Sequence, residues 1–97
     1  MNVTAMSERS RNISEIELRI AEIIINELKI EDVTPQSFDV KLDLVDELGI
    51  DSMDLATVAL VLNDEFDIEI YEEDYPKLNT IHLIAEYILE RLQESSE

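Results

Sequence analysis

The 97 residues carry 24 carboxylates against 7 lysines and arginines, a formal charge of −17, with 45% apolar residues and no cysteine. That length and apolar content suit one domain with a modest core. The charge disfavours nucleic acid and anionic membrane and favours basic protein surfaces met by fast, salt-sensitive association. Without thiols there is neither a disulfide frame nor a cysteine-ligated metal.

No apolar run is long enough to span a bilayer, and Met1 to Asn12 lacks the apolar centre of a signal peptide. The expected organisation is a flexible polar tail over 1–12, a helical domain over 13–93 and a second flexible tail over 94–97. Cysteine-free composition is consistent with a cytoplasmic location.

In chain order, Ser14-Glu15-Ile16-Glu17 has the spacing of a capping box. Ile16, Ile20, Ile23, Ile24 and Leu28 follow at helical period, with Ile13 ahead as a staple residue, which predicts a helix from about Ser14 to Lys29. A long connection runs from Ile30 to Ile50. Thr34-Pro35 breaks any helix there, while Phe38, Val40, Leu42, Leu44 and Leu48 give it apolar anchors for packing onto the domain. Leu44 to Leu48 can form a helical turn, stopped by Gly49, the only glycine.

Asp51 is suited to cap the next helix, with Asp54 placed as the second acceptor of a capping box. Ser52 then occupies the first helical position with a spare hydroxyl, where free N–H groups and the helix dipole favour phosphate. From spacing alone a plain helix start is the favoured reading of this serine, since such residues commonly begin helices. The helix from Asp51 to Phe66 is apolar almost all round. Leu55, Val58, Ala59, Leu62 and Phe66 form one stripe, the natural core face. Met53, Ala56 and Leu60 form another, bounded by Asp54, Thr57 and Asp64. So small a bundle cannot easily surround both, so the second stripe reads as a docking face, apolar at its centre and anionic at its rim.

Beyond Asp67, Tyr71 to Tyr75 is expected as a single helical turn ended by Pro76. Asn79 or Thr80 caps a last helix to about Gln93, with Ile81, Ile84, Ala85, Ile88 and Leu92 inward. The sole histidine, His82, reads as a surface or boundary residue. Calcium-loop spacing fails, because Val45 and Leu48 fall where oxygen ligands are needed after Asp43 and Asp46. No metal site is expected. Nor is a catalytic centre, since no histidine or lysine lies near Ser52 in sequence to activate it.

The stretch Leu48-Gly49-Ile50-Asp51-Ser52-Met53-Asp54 resembles the signature of the acyl carrier protein family, in which an Asp-Ser-Leu tripeptide opens the second helix. The likeness continues through Asn63 to Ile70, then Thr80-Ile81 and Tyr87-Ile88, and spans about Ile13 to Leu92. It implies an all-α four-helix bundle with three longer helices, one short helix and a long loop between the first two. It implies a 4'-phosphopantetheine arm, taken from coenzyme A by a phosphopantetheinyl transferase and joined to Ser52 as a phosphodiester. Asp51 would flank the arm and Met53 would stand in for the family's leucine, with Asp54, Ala56, Leu60 and Asp64 on the recognition helix. Acyl groups would ride as thioesters between acyl-transferring enzymes with basic docking patches, on a monomeric carrier that is not itself an enzyme.

Thr57 and Asn63 stand where fatty-acid carriers commonly keep acids, and the loop before Gly49 is longer than in short fatty-acid carriers. Both departures favour a specialised carrier, for polyketide, modified-lipid or aminoacyl groups, over a housekeeping one. Peptidyl carriers show a glycine-rich run before the serine, which Gly49-Ile50-Asp51 does not match. The alternative from another class is an unmodified acidic helical adaptor for basic partners.

Between Leu42 and Pro76 there is no lysine or arginine. Self-repulsion in such a chain is partly screened by salt. The melting temperature is therefore expected to rise with sodium chloride and more steeply with magnesium or calcium. A flat salt series would show the acids to be compensated within the fold.

Overall fold

The computed structural model describes residues 12–95, and within them the protein is all-helical. Four α-helices occur in order: α1 (Ile13–Leu28), α2 (Leu44–Leu48), α3 (Ser52–Phe66) and α4 (Ile81–Ser95). A 3-10 helix, Glu72–Lys77, lies between the last two. Of the expected tails, 1–12 and 94–97, residues 1–11 and 96–97 lie outside the described residues; Asn12 instead caps α1, and α4 continues two residues past Gln93, the end its apolar pattern suggests.

The start of α1 differs from the sequence expectation. Asn12, not Ser14, is the N-cap, and its side chain accepts from the Glu15 N–H at 3.0 Å. Ile13 is accordingly the first helical residue rather than a staple ahead of the helix. Glu17, the expected partner of the Ser14 box, instead contacts the ring of His82 on α4 at 2.6 Å. That pairing joins α1 to α4, where Ile16, Ile20, Ile24, Ile81, Ile84 and Ile88 are all buried. Helical spacing puts these isoleucines on one stripe of each helix, and excluding them from water is what holds the pair together.

The 3-10 helix also departs from expectation, because Pro76 lies inside it rather than ending it. Its bonds run from Asp74 N–H to Tyr71 O and from Leu78 N–H to Tyr75 O, so no donor is required at the proline. The element is fixed to α4 from outside. The Tyr87 hydroxyl donates to Asp74 Oδ2 at 2.7 Å, and the Arg91 guanidinium lies 4.7 Å from the centre of the Tyr71 ring. The Tyr87 hydrogen bond holds the Asp74 carboxyl below its ordinary range, while burial raises that of the Tyr87 hydroxyl.

The long connection is packed, as its apolar anchors suggest. Phe38 and Leu44 are buried, and backbone bonds tie the segment to the start of α4, Leu44 N–H to Asn79 O at 2.7 Å and His82 N–H to Val40 O at 2.9 Å. Thr80 Oγ1 caps α4 by accepting from the Leu83 N–H at 3.1 Å.

The two stripes of α3 separate as their spacing suggests. Leu55, Val58, Ala59, Leu62 and Phe66 are buried, whereas Met53 is 77% and Leu60 68% exposed. Leu62→Ala leaves a cavity and is expected to cost about 2–5 kcal/mol, a large part of the stability of so small a domain. Leu60→Ala removes a side chain that water already reaches and is expected to leave the melting temperature near wild type. Thermal unfolding of the two variants checks this; equal destabilisation would place both stripes in the core.

Candidate functional site

The site is made by two helix ends meeting at a sharp turn. Five residues of α2 stop at Gly49, whose φ of 68° is left-handed. Gly49 N–H bonds to Val45 O at 3.0 Å, the bond of a left-handed C-cap, and Ile50 N–H to Leu44 O at 3.2 Å, so that two of the carbonyls of α2 are satisfied. Open space surrounds the position where a Cβ would stand, so the glycine is required by its dihedral and not by crowding. Ile50 then buries its side chain, anchoring the turn to the core.

Asp51 follows in extended conformation and caps α3. Its Oδ1 accepts from the Asp54 N–H at 2.9 Å, while Asp54 Oδ2 accepts from the Asp51 N–H at 3.4 Å. The reciprocal box is thus complete, and it engages both carboxylates locally. Ser52 is left as the first helical residue, exposed, and among the described residues its hydroxyl makes no hydrogen bond. Nor, among those residues, does an acceptor face the N–H groups of Ser52 or Met53, which carry the positive end of the α3 dipole. A phosphodiester on Ser52 would meet open space, unpaired donors and no competing bond. The residues therefore fit a phosphate-linked arm.

Met53, Leu60 and Ala56 continue from this corner along the outer side of α3, with Ala56 half-buried. Asp64 is exposed near its far end, and Asp54 is half-buried by its role in the box. Thr57, exposed on the same helix, turns its hydroxyl to Met53 O at 3.2 Å and presents no charge. Asn63 serves the fold instead, because its Oδ1 accepts from the Ile70 N–H at 2.9 Å and closes the loop that leaves α3. An acid there could accept the same bond, so the asparagine closes the loop without adding a charge.

Two apolar residues near Ser52 in the chain depart from the sequence expectation. On α2, Val45, which was not singled out, is 50% exposed, and Leu48, expected as a packing anchor of the connection, is 40% exposed. Their signal was available, since Leu44-Val45-Asp46-Glu47-Leu48 holds three large apolar residues in a turn that buries only Leu44. No three histidine, aspartate or glutamate side chains converge as metal ligands, and no helix is long and apolar enough to cross a membrane, among the described residues.

Comparison with known proteins bears on what this corner is for. The family model described as a phosphopantetheine attachment site matches residues 19–88, from the middle of α1 to the middle of α4. An acyl carrier protein of Bdellovibrio bacteriovorus is 32% identical over 70 residues, covering 72% of this chain and 86% of its own length. The resemblance implied by the Asp51-Ser52-Met53 corner thus extends over most of the fold, and with it comes the covalent 4'-phosphopantetheine group and a role as carrier rather than enzyme. The chain belongs to the phosphopantetheine-binding family of acyl carrier proteins.

Proposed function

We propose that Ser52 bears the 4'-phosphopantetheine arm and that the protein shuttles acyl groups, held as thioesters, between enzymes of a specialised lipid or polyketide route. The observation that carries the assignment is the Ser52 hydroxyl, exposed and unbonded at the first position of α3, beside a carboxylate already engaged in the cap. Ser52 Oγ would attack the pantetheine-side phosphorus of the coenzyme A pyrophosphate, forming the phosphodiester as the pyrophosphate P–O bond breaks and the adenosine bisphosphate half leaves. No side chain among the described residues is placed to take its proton, so the base and metal belong to the transferase. The arm's terminal thiol holds the acyl group, and a cysteine-free chain offers it no disulfide partner.

Met53, Ala56 and Leu60 supply the apolar centre of the surface that partner enzymes meet, with Asp54 and Asp64 drawing in their basic residues. Asp51 flanks the arm. A specialised route is supported by Thr57, which leaves a neutral position on this face, and by the long α1–α2 loop. The same charge and the absence of a spanning helix among the described residues suit a monomer working in the cytoplasm.

Incubation with coenzyme A, magnesium and a broad-specificity phosphopantetheinyl transferase is expected to add one arm to the wild-type mass and none to Ser52→Ala. A gain that persists in Ser52→Ala would overturn the assignment. Charge reversal at Asp64 is expected to slow acylation by cognate enzymes, with the deficit shrinking as salt rises.

A further inference from the structure

Few cations offset the charge of this chain, and most of those among the described residues are engaged. Arg19 is held by Glu22 and Glu65, Lys77 by Asp74, and Arg91 lies over the rings of Tyr71 and Tyr87. Lys29 and Lys41 are exposed, with no side-chain partner among the described residues. The two differ in where they stand. Lys29 is the one cation lining a depression of about 430 Å³ that it shares with Glu27, Ile50 and Asp54. Ile50 and Asp54 bracket Ser52 in the chain, so the depression opens at the first turn of α3. Its surface is largely polar, which suits the phosphate end of an arm and not an acyl end.

The backbone at Lys29 points the same way. Lys29 ends α1 as a left-handed cap, φ 54° and ψ 48°, with its N–H bonded to Ile25 O. The other non-glycine residues at positive φ among those described are Asp32 and Asp67. Aspartate tolerates that region because its short side chain can hydrogen-bond locally. Lysine has no such compensation, and glycine would hold the turn at lower cost. The turn itself therefore does not account for a lysine.

We propose that the Lys29 ammonium pairs with the phosphodiester once the arm is on Ser52, an inference that rests on attachment there. A phosphodiester keeps one negative charge and would stand beside Asp51 and Asp54, in a chain whose formal charge is already −17. The free N–H groups at the start of α3 offset part of it. Neither α2 nor α3 can offer more, because no lysine or arginine arises between Leu42 and Pro76. Lys29, brought to the depression by the end of α1, supplies the missing countercharge on a flexible stem. The pair would hold the phosphate end of the arm on the α1 side of the corner.

The test loads wild type, Lys29→Gln, Lys29→Arg and Lys41→Gln from coenzyme A to completion with the same transferase, and fragment mass places the arm on Ser52. Each protein is melted at low salt with and without its arm, so that effects of the substitution on the fold itself cancel. Lys29→Gln is expected to lower the melting temperature by about 2–4 °C more with the arm than without it. Lys29→Arg should behave as wild type, Lys41→Gln should show no such difference, and sodium chloride should shrink it. Attachment should also shift the ε-methylene NMR signal of Lys29 but not that of Lys41, and Lys29→Gln should move the phosphorus signal of the arm. Equal losses with and without the arm, the same difference in Lys41→Gln, or a Lys29 signal unmoved by attachment would overturn the pairing. An arm found elsewhere than Ser52 would instead remove the attachment on which the inference rests.

Discussion

The reciprocal hydrogen bonds between Asp51 and Asp54 hold the corner on which the functional surface depends. They set where α3 begins, and that alone decides that residue 52 is the first helical position and not the cap. A serine one residue earlier would spend its hydroxyl on a backbone N–H. Here the carboxylates do the capping, worth about 0.5–2 kcal/mol, and the hydroxyl is left for chemistry. The left-handed Gly49 contributes from the other side by stopping α2 and turning the chain, so that the same short segment ends one helix and starts the next.

Charge and apolarity are distributed around that corner with a consistent logic. Arg19 reaches from α1 to Glu65 on α3 at 2.8 Å and also engages Glu22, and Lys77 pairs with Asp74 within the 3-10 helix. Such exposed pairs add little to stability. Their position matters more, because no cation arises from the chain between Leu42 and Pro76. Within that field, exposed Met53 and Leu60 give a partner an apolar centre, while the buried stripe of the same helix holds it to α1. One helix thus serves both as core and as contact surface. It can do so because a single buried stripe, Leu55 to Phe66, is enough to hold it in a bundle of this size.

Much of this was legible in the residues. The two stripes of α3 differ by helical phase, so spacing alone separated Leu62 from Leu60. The Asp51–Asp54 box and the stop at Gly49 are local patterns, and local patterns survive folding. The errors arose where a distant contact decided between local options. Ser14 and Glu17 have capping-box spacing, yet Asn12 takes the cap and Glu17 is engaged by His82, a partner 65 positions away. Pro76 looked like a terminator because proline breaks an α-helix, but the 3-10 turn asks no donor of it. A cleft beneath the α1–α2 loop is lined by Ile30, Val33, Phe38, Leu42 and Leu48, and nothing periodic in a loop announces such a gathering.

If cap geometry is what presents Ser52, it can be separated from the charge of Asp51 by a single comparison. Asparagine caps as well as aspartate but carries no charge, whereas alanine does neither. The measurement is the initial rate of arm transfer onto Asp51→Asn and Asp51→Ala under identical conditions. An Asp51→Asn rate close to wild type is expected, with Asp51→Ala much slower. Equal slowing of both would mean instead that the carboxylate serves as a charge for the transferase to grip, and that the cap is not what presents the serine.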